Sequence, residues 1–178
     1  MKNELYDGYL TESKLGEVLK ILFPNVVFTH DKIVPNSGIK NRPDYRSDKL
    51  MLIVEFDGYR HFTSPKLIFA DRLKDETYGD MGYIVMRIPY FVQLDKEMIY
   101  LLFGVTDSLV SSYEHGFIDS KAMLPAEFSE LGTDRFIEEY KSLPYKVCMD
   151  ILTSLKYKID YLENRYLVAN DTIYEMIS

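Results

Sequence analysis

The sequence has little of several features that define whole classes of protein. Its 178 residues include a single cysteine, Cys148, which excludes an internal disulfide and a thiolate metal site. No apolar run reaches the length of about eighteen residues that suggests a membrane span, and the N-terminal stretch MKNELYDGYL lacks the apolar core of a signal peptide. We therefore expect an intracellular, cytoplasmic protein with no membrane association, in which Cys148 takes a buried helical position.

The chain also lacks an excess of basic side chains. Its net charge is −7 and its pI is near 5.0, which argues against a protein that coats nucleic acid through bulk electrostatics. Residues 1–90 carry 13 basic and 13 acidic side chains, whereas residues 91–178 carry 8 and 15, so the whole acidic excess lies in the second half. The balanced first half can still present a basic rim to DNA, and the acidic half is predicted not to grip it.

What the sequence does have is a cluster of ionisable groups at the ends of one apolar hairpin, RPDYRSDKLMLIVEFDGYRHF (42–62). Asp44 precedes a run of apolar residues at 50–54 that is typical of a strand buried on both faces. Two carboxylates and a histidine follow this run: Glu55, Asp57 and His61. Because burying carboxylates side by side is costly without a cation or hydrogen-bond donors, the cluster indicates a metal site.

The first helix is predicted at 11–23, where apolar residues recur at helical spacing behind Thr11 as N-cap. Glu12 lies at the edge of its apolar stripe and Glu17 points nearly away from it, so Glu12 is the better candidate to reach the site. Strands are predicted at three places: 26–34, 44–46 and the apolar run that ends at Glu55. The turn residues 47 and 48 join the second of these strands to the third.

A second helix is predicted at 66–80, and Asp71 and Lys74 fall on its inward stripe. The strand GYIVMRI (82–88) follows, with Arg87 near its end. The first part of the chain is therefore predicted as an αβββαβ core of the α/β class with a mixed sheet. Beyond Pro89 the pattern is helical with loops, with helices near three segments and the least regular stretch at 114–132. Those segments are 94–104, 133–143 and 145–162. We predict two domains, a core at 1–92 and a helical extension at 93–178 packed on it.

Asp44 and Glu55 sit on adjacent strands, so both carboxylates can converge on one hard cation such as Mg²⁺, with Mn²⁺ as a substitute. Such an ion polarises a phosphate group and supplies hydroxide near neutral pH. His61 can carry a proton, and Lys74 or Arg60 can neutralise charge that develops on phosphorus. These are the parts of a phosphodiester hydrolase.

The residues also carry a resemblance to a known family. Pro43-Asp44, ten intervening residues and Glu55-x-Asp57 resemble the PD-(D/E)-x-K nuclease superfamily. EFDGYRHF, the later Asp71-x-x-Lys74 and GYIVMRIPY are similar to its very-short-patch-repair-like branch, which includes phage-type homing endonucleases. The match covers about residues 10–92. It implies a restriction-endonuclease-like core and a Mg²⁺-dependent DNA endonuclease whose products carry a 5′-phosphate and a 3′-hydroxyl.

The resemblance also implies roles for individual residues. Asp44 would be the principal metal ligand and Glu55 the second carboxylate, with Asp57 as a further member of the ligand set. His61 would be the general acid or base and Asp71 another polar member of the site. The first-helix glutamate would be Glu12, with Glu17 as the alternative. One departure is that Asp57 stands where the motif has its lysine, and Lys74 is the predicted substitute.

Each residue also has an ordinary structural interpretation. Asp44 after a proline is a common turn residue, and Glu55 and Asp57 are compatible with the solvated side of an edge strand. Their joint occurrence with His61, Asp71 and Lys74 favours a site. His30 and His115 have no such neighbours, and we expect them to be surface or hydrogen-bonded residues.

A second hypothesis is a nuclease-fold module with lost or weakened catalysis that binds DNA or protein. The missing motif lysine and the acidic helical half favour it, and that half would then contact a second copy or a protein partner through four phenylalanines. These are Phe103, Phe117, Phe128 and Phe136. The presence of Asp44, Glu55 and His61 favours the enzyme instead. No residue distinguishes DNA from RNA as the substrate.

Overall fold

The computed structural model describes residues 11–92, 94, 96–105 and 125–178. Within them the protein is mixed α/β, with a four-stranded sheet and seven helices, which confirms the predicted fold class and the mixed sheet. The chain divides into two compact units, Met1–Asp57 with Asp71–Phe117 and Gly58–Ala70 with Ile118–Ser178. The division into 1–92 and 93–178 stays a prediction. No helix in the described part is long and apolar enough to cross a membrane.

The strands are β1 (Thr29–His30), β2 (Tyr45–Ser47), β3 (Leu52–Asp57) and β4 (Ile84–Pro89). The helices are α1 (Glu12–Leu22), α2 (Arg60–Thr63), α3 (Pro65–Asp80), α4 (Lys96–Phe103), α5 (Glu130–Ser142), α6 (Tyr145–Leu162) and α7 (Asp171–Ile177). Short 3₁₀ turns lie at Pro125–Glu127 and Arg165–Leu167. The predicted order of helix, three strands, helix and strand is therefore found, with the four-residue α2 added.

The sheet of the first unit has the order β1-β2-β3-β4. β2 is antiparallel to both of its neighbours, and β3 is parallel to β4. In this register Glu55 lies beside Arg87. Because side chains alternate between the faces of a strand, Ile53, Glu55 and Asp57 share one face with Arg87.

Different helices pack on the two faces of the sheet. The apolar stripe of α1 packs against Leu52 and Val54, and Thr11 caps the helix by accepting a hydrogen bond from Lys14 N at 3.2 Å. The opposite face carries Ile53, which clusters with Tyr78 of α3. The predicted helix at 11–23 is confirmed, and the charged side chains of β3 lie on the α3 side of the sheet.

Two strand predictions are wrong in extent. The segment 26–34 forms a strand only at Thr29–His30, because Asp31 has φ of 49° and turns the chain. The apolar run does not begin a strand at Leu50, because Met51 also has φ of 49° and leaves the extended conformation. Both side chains are exposed by more than a third, 37% for Leu50 and 39% for Met51. β3 instead runs on to include Asp57.

The second unit is built around contacts between α2 and α5. Phe62 stacks on Phe128 with ring centroids 5.0 Å apart, and Phe128 in turn contacts Phe136 at 5.8 Å. Both Phe128 and Phe136 are buried, so the expectation that they are available for outside contacts is wrong. Cys148 lies on α6 as predicted, but it is half-buried rather than buried, and its thiol donates to Tyr140 O at 3.2 Å.

The predictions for the C-terminal half can be compared with the structure only in part. α4, α5 and α6 confirm the helical character of the C-terminal half, whereas α7 was not predicted. Most of the stretch at 114–132, with His115 and Phe117, lies outside the described residues.

Candidate active site

Asp44 and Glu55 lie side by side on the β2–β3 hairpin. Tyr45 pairs with Val54, so Asp44, one residue earlier, falls opposite Glu55. The Asp44 N–H donates to Glu55 Oε2 at 3.4 Å, and the Phe56 N–H donates to Asp44 Oδ2 at 2.7 Å. The hairpin backbone therefore orients both carboxylates. In the described part of the chain no group donates a hydrogen bond to Asp44 Oδ1.

Lys74 reaches this pair from α3. Its Nζ donates to Glu55 Oε1 at 2.8 Å and lies 3.9 Å from Asp71 Oδ1. Glu55 is only 2% exposed and Lys74 9%, so the ion pair is buried. The predicted inward stripe of α3 thus brings Lys74 to Glu55.

Burial and neighbouring charges disfavour the charged forms of both carboxyl groups. Burial raises the pKa of Asp44 to about 7, and the neighbouring charges of Glu55 and Glu12 add to this effect. Hydrogen bonding from the Phe56 N–H and the charge of Lys74 act against it. Burial also raises the pKa of Glu55, and Lys74 opposes that shift only in part. The arrangement therefore places carboxylates where they favour a bound cation or a proton.

Asp57 belongs to a neighbouring ion-pair network centred on Arg87. Arg87 Nη1 donates to Asp57 Oδ1 at 2.8 Å and to Oδ2 at 3.1 Å, and it lies 3.4 Å from Asp71 Oδ1. Arg87 Nε donates to Asp75 at 2.9 Å. Burial disfavours the charged guanidinium, but Asp57, Asp75 and Asp71 outweigh this and raise the pKa of Arg87. Asp57, which stands where the resemblance would place a lysine, is thus the partner of an arginine.

Glu12 and His30 form a second polar group in the same unit. His30 Nε2 lies 2.6 Å from Glu12 Oε1, and the His30 ring stacks on the Tyr45 ring with centroids 4.9 Å apart. His30 is exposed and hydrogen-bonded, as expected. Glu12 is among the charges that raise the pKa of Asp44, which supports its choice over the exposed Glu17. The role of Glu12 at the site stays a prediction.

His61 and Arg60 lie in the second unit, on α2. The backbone carbonyl of His61 accepts a hydrogen bond from Arg135 Nη1 at 3.2 Å, and Arg60 is exposed. The carboxylates and Lys74 are in the first unit, so the proton-carrying role of His61 stays a prediction.

Sequence reasoning missed the parts played by Arg87, Asp75 and the pair of Glu12 with His30. An arginine inside an otherwise apolar strand signals a buried ionic partner, and Asp75 lies one helical turn after Asp71. No comparable signal links Glu12 to His30, because they are eighteen positions apart in the sequence.

The donor set suits a hard divalent cation. The α3 side of the sheet and its rim bring together five carboxylates and two cations, a formal charge of −5 + 2 = −3. The carboxylates are Asp44, Glu55, Asp57, Asp71 and Asp75, and the cations are Lys74 and Arg87. Asp44 Oδ1 has no hydrogen-bond donor in the described part of the chain, and oxygen ligands are those that Mg²⁺ prefers. The residues therefore fit a divalent ion at Asp44 and Glu55.

Comparison with protein-family models, with curated proteins and with solved structures found no significant match to this chain.

Proposed function

We propose that the protein is a metal-dependent DNA endonuclease that hydrolyses phosphodiester bonds on a restriction-endonuclease-like core. The observation that carries the proposal is the convergence of Asp44, Glu55 and Lys74 from three elements. Glu55 connects the other two residues, because one of its oxygens accepts a hydrogen bond from Lys74 Nζ at 2.8 Å and the other accepts one from the Asp44 N–H at 3.4 Å. Two carboxylates and a lysine are the group that the PD-(D/E)-x-K pattern specifies.

The replacement of the motif lysine does not by itself oppose the proposal, because another cation is present at Glu55. Asp57 takes the motif position on β3 and is held by Arg87. Lys74, on α3, brings its ammonium group to Glu55 instead. The site thus keeps its cation although the lysine has moved to another element.

Each residue has a chemical task in the proposed reaction. Asp44 and Glu55 would hold a divalent ion, which would supply Lewis-acid polarisation of a phosphate oxygen when bound. Lys74 places a positive charge beside Glu55, where it can offset charge that builds up on the phosphate group. Glu55 fixes the Lys74 ammonium by a 2.8 Å hydrogen bond. Arg87 balances the buried charge of Asp57, and the resemblance gives His61 the role of acid or base.

A screen of DNA forms and metals tests the proposal. The full chain is incubated with supercoiled plasmid and with branched DNA in the presence of Mg²⁺, Mn²⁺ or EDTA. We expect nicked or linear products with Mg²⁺ or Mn²⁺, carrying 5′-phosphate ends, and no products with EDTA. Absence of cleavage with every metal and DNA form, together with retained DNA binding, would support the alternative of a catalytically weakened binding module.

A further inference from the structure

His30 and Glu12 line a groove of about 640 Å³ in the first unit. Its walls combine α1 with the segment that leads into β1, and this volume lies in the range of ligand pockets. The apolar wall is formed by Val26, Val27 and Phe28. Val27 is 82% exposed, so this wall is open to solvent.

The imidazole of His30 is oriented by contacts on two sides. Glu12 Oε1 lies 2.6 Å from Nε2, and the Tyr45 ring stacks against the imidazole at an interplanar angle of 27°. Tyr45 is itself fixed, because its hydroxyl donates to Glu12 O at 2.9 Å. Its ring also packs so closely on Gly16 that a Cβ there would lie 2.3 Å from Tyr45 Oη.

The bond to Glu12 decides which nitrogen of His30 can exchange a proton. A carboxylate only accepts hydrogen bonds, so Nε2 is the nitrogen that donates to Glu12 and Nδ1 is left to gain or lose a proton. An imidazole oriented by a carboxylate is a recurring device for proton transfer. The other titratable side chains that line the groove are Glu17, Lys20 and Tyr45.

The pair of Glu12 and His30, here called the dyad, is joined to the proposed metal ligand Asp44 through the pairing of β1 with β2. His30 pairs with Tyr45 across β1 and β2, and Tyr45 follows Asp44 directly. The next residue, Asp31, donates its N–H to Asp44 O at 3.1 Å. β1 thus joins the dyad to the strand that begins beside Asp44.

We infer that His30, oriented by Glu12, is the general acid that protonates the leaving 3′-oxygen in the proposed DNA cleavage. This inference rests on the proposed function. In the step, the oxygen of water forms a bond to phosphorus, and the bond from phosphorus to the 3′-oxygen breaks with its electron pair on that oxygen. The 3′-oxygen takes the proton from Nδ1 of His30. The surplus proton of the water passes to the base, the role that the resemblance then leaves to His61, and the His30 imidazole is protonated again from solvent.

Single-turnover cleavage with two substrates tests the assignment. One substrate is ordinary DNA, and the other carries sulfur in place of the 3′-oxygen at the scissile bond, because a thiolate leaves without needing a proton. We expect His30→Gln to cleave ordinary DNA about 100-fold more slowly than the wild type and to lose the pH dependence of the imidazole. It should cleave the sulfur substrate within about threefold of the wild type. Glu76→Gln, at an exposed position on α3, is the control for loss of one ionisable group.

Several outcomes overturn the inference and remain separable from failure of the proposed function. Equal slowing of both substrates by His30→Gln would show that His30 does not protonate the leaving group, and so would unchanged cleavage of ordinary DNA. If the wild type cleaves neither substrate, the proposed function fails and the inference fails with it. Thermal melts of each variant exclude loss of folding as the cause.

A second readout needs neither metal nor DNA. Nitrogen-15 NMR of the histidines reports which ring nitrogen carries the proton in the neutral imidazole. We expect His30 to be protonated at Nε2 in the wild type and to lose this preference in Glu12→Leu. A predominance of the Nδ1-protonated form in the wild type would contradict the orientation on which the inference depends.

Discussion

At the scale of single residues, the candidate site is a set of charges that compensate one another incompletely. Lys74 is the single cation bonded to Glu55 among the described residues, and both are buried. A buried ion pair contributes little compared with an apolar pair, but the loss of one partner leaves the other charge without compensation. Removal of Lys74 is therefore expected to destabilise the folded protein by more than the ion pair itself contributes to stability.

Replacement of Lys74 by methionine tests this dependence. We expect Lys74→Met to lower the free energy of unfolding by about 3 kcal/mol, because Glu55 is left buried without its cation. The control is Lys66→Met on the same helix, where the side chain is exposed and a change within about 0.5 kcal/mol is expected. Urea denaturation measures both. Equal and small effects of the two substitutions would show that the Lys74–Glu55 pair has no energetic role.

The raised pKa of Asp44 gives a pH dependence of stability with a definite sign. Its pKa is about 7 in the folded protein and 3.8 in the unfolded chain, so the contribution of Asp44 to stability is full below pH 4 and is lost as the pH rises through 7. Asp44→Asn keeps an acceptor for the Phe56 N–H and removes the charge. We expect it to be more stable than the metal-free wild type at pH 8 by about 1–2 kcal/mol, reduced from the full shift because Asp44 is only partly buried.

Thermal denaturation in EDTA at pH 5 and pH 8 measures that difference. The gap between variant and wild type should shrink as the pH falls towards 4. A variant that is less stable than the wild type at pH 8 would mean that the Asp44 charge is compensated in the folded protein.

At the scale of elements, the close contact of α1 with β2 positions the groove and its histidine. Gly16 lies in the middle of α1, where glycine is unfavourable for helix formation. Because glycine has no Cβ, the Tyr45 ring has room to pack against the helix at this position. A side chain at this position must displace Tyr45, and with it the stacked imidazole of His30.

Two glycine-to-alanine substitutions in helices of the first unit distinguish the effect of the Tyr45 contact on stability from the effect of helix propensity. We expect Gly16→Ala to lower the free energy of unfolding by about 1–3 kcal/mol through displacement of Tyr45. Gly79→Ala on α3 meets no atom within 4 Å of its Cβ and should raise the free energy by about 0.5 kcal/mol. Chemical denaturation reports both signs. A stabilising Gly16→Ala would show that the α1–β2 contact is loose.

The elements that could be predicted from the sequence are those in which one local pattern decides the structure. α1 follows from its apolar spacing, its N-cap at Thr11 and the proline at position 24. The inward face of α3 follows from helical spacing alone, because it buries Asp71 and Lys74 together with Tyr78. The extent of β1 and β3 could not be predicted, because the left-handed residues Asp31 and Met51 interrupt sequences with strong strand propensity. Methionine gives no indication of a positive φ, and aspartate, although enriched there, adopts it in only a small minority of cases.

The same distinction applies to the site. The proximity of Asp44 and Glu55 follows from a short hairpin, and the inward position of Lys74 follows from helical spacing. The bond of Asp57 to Arg87 depends on the parallel pairing of β3 with β4 across the whole of α3, and no local pattern fixes that register. Long-range pairing of this kind is what a single sequence reveals least.

At the scale of the whole molecule, acidic side chains outnumber basic ones, so a bound cation is expected to stabilise the folded protein. A ligand that binds only the folded state stabilises it in proportion to the logarithm of its concentration above the dissociation constant. We expect Mg²⁺ and Mn²⁺ to raise the melting temperature of the wild type at pH 8, and to do so much less for Asp44→Asn and Glu55→Gln. Thermal shift in rising metal concentration measures the effect.

The control for that experiment is Asp48→Asn, whose carboxylate is exposed and bonded to Arg46 and Tyr83 rather than to the candidate ligands. Its metal-induced shift should match that of the wild type. If Asp44→Asn and Glu55→Gln also respond like the wild type, the cation does not bind at these two carboxylates.

The central claim is that Asp44 holds the ion on which DNA cleavage depends. Its most direct test is the Mg²⁺-dependent cleavage rate of one DNA substrate by the wild type, Asp44→Asn and Asp48→Asn. We expect Asp48→Asn to retain the wild-type rate within about threefold and Asp44→Asn to lose at least about 100-fold while its melting temperature is unchanged or higher. Cleavage by Asp44→Asn at the wild-type rate would contradict the claim.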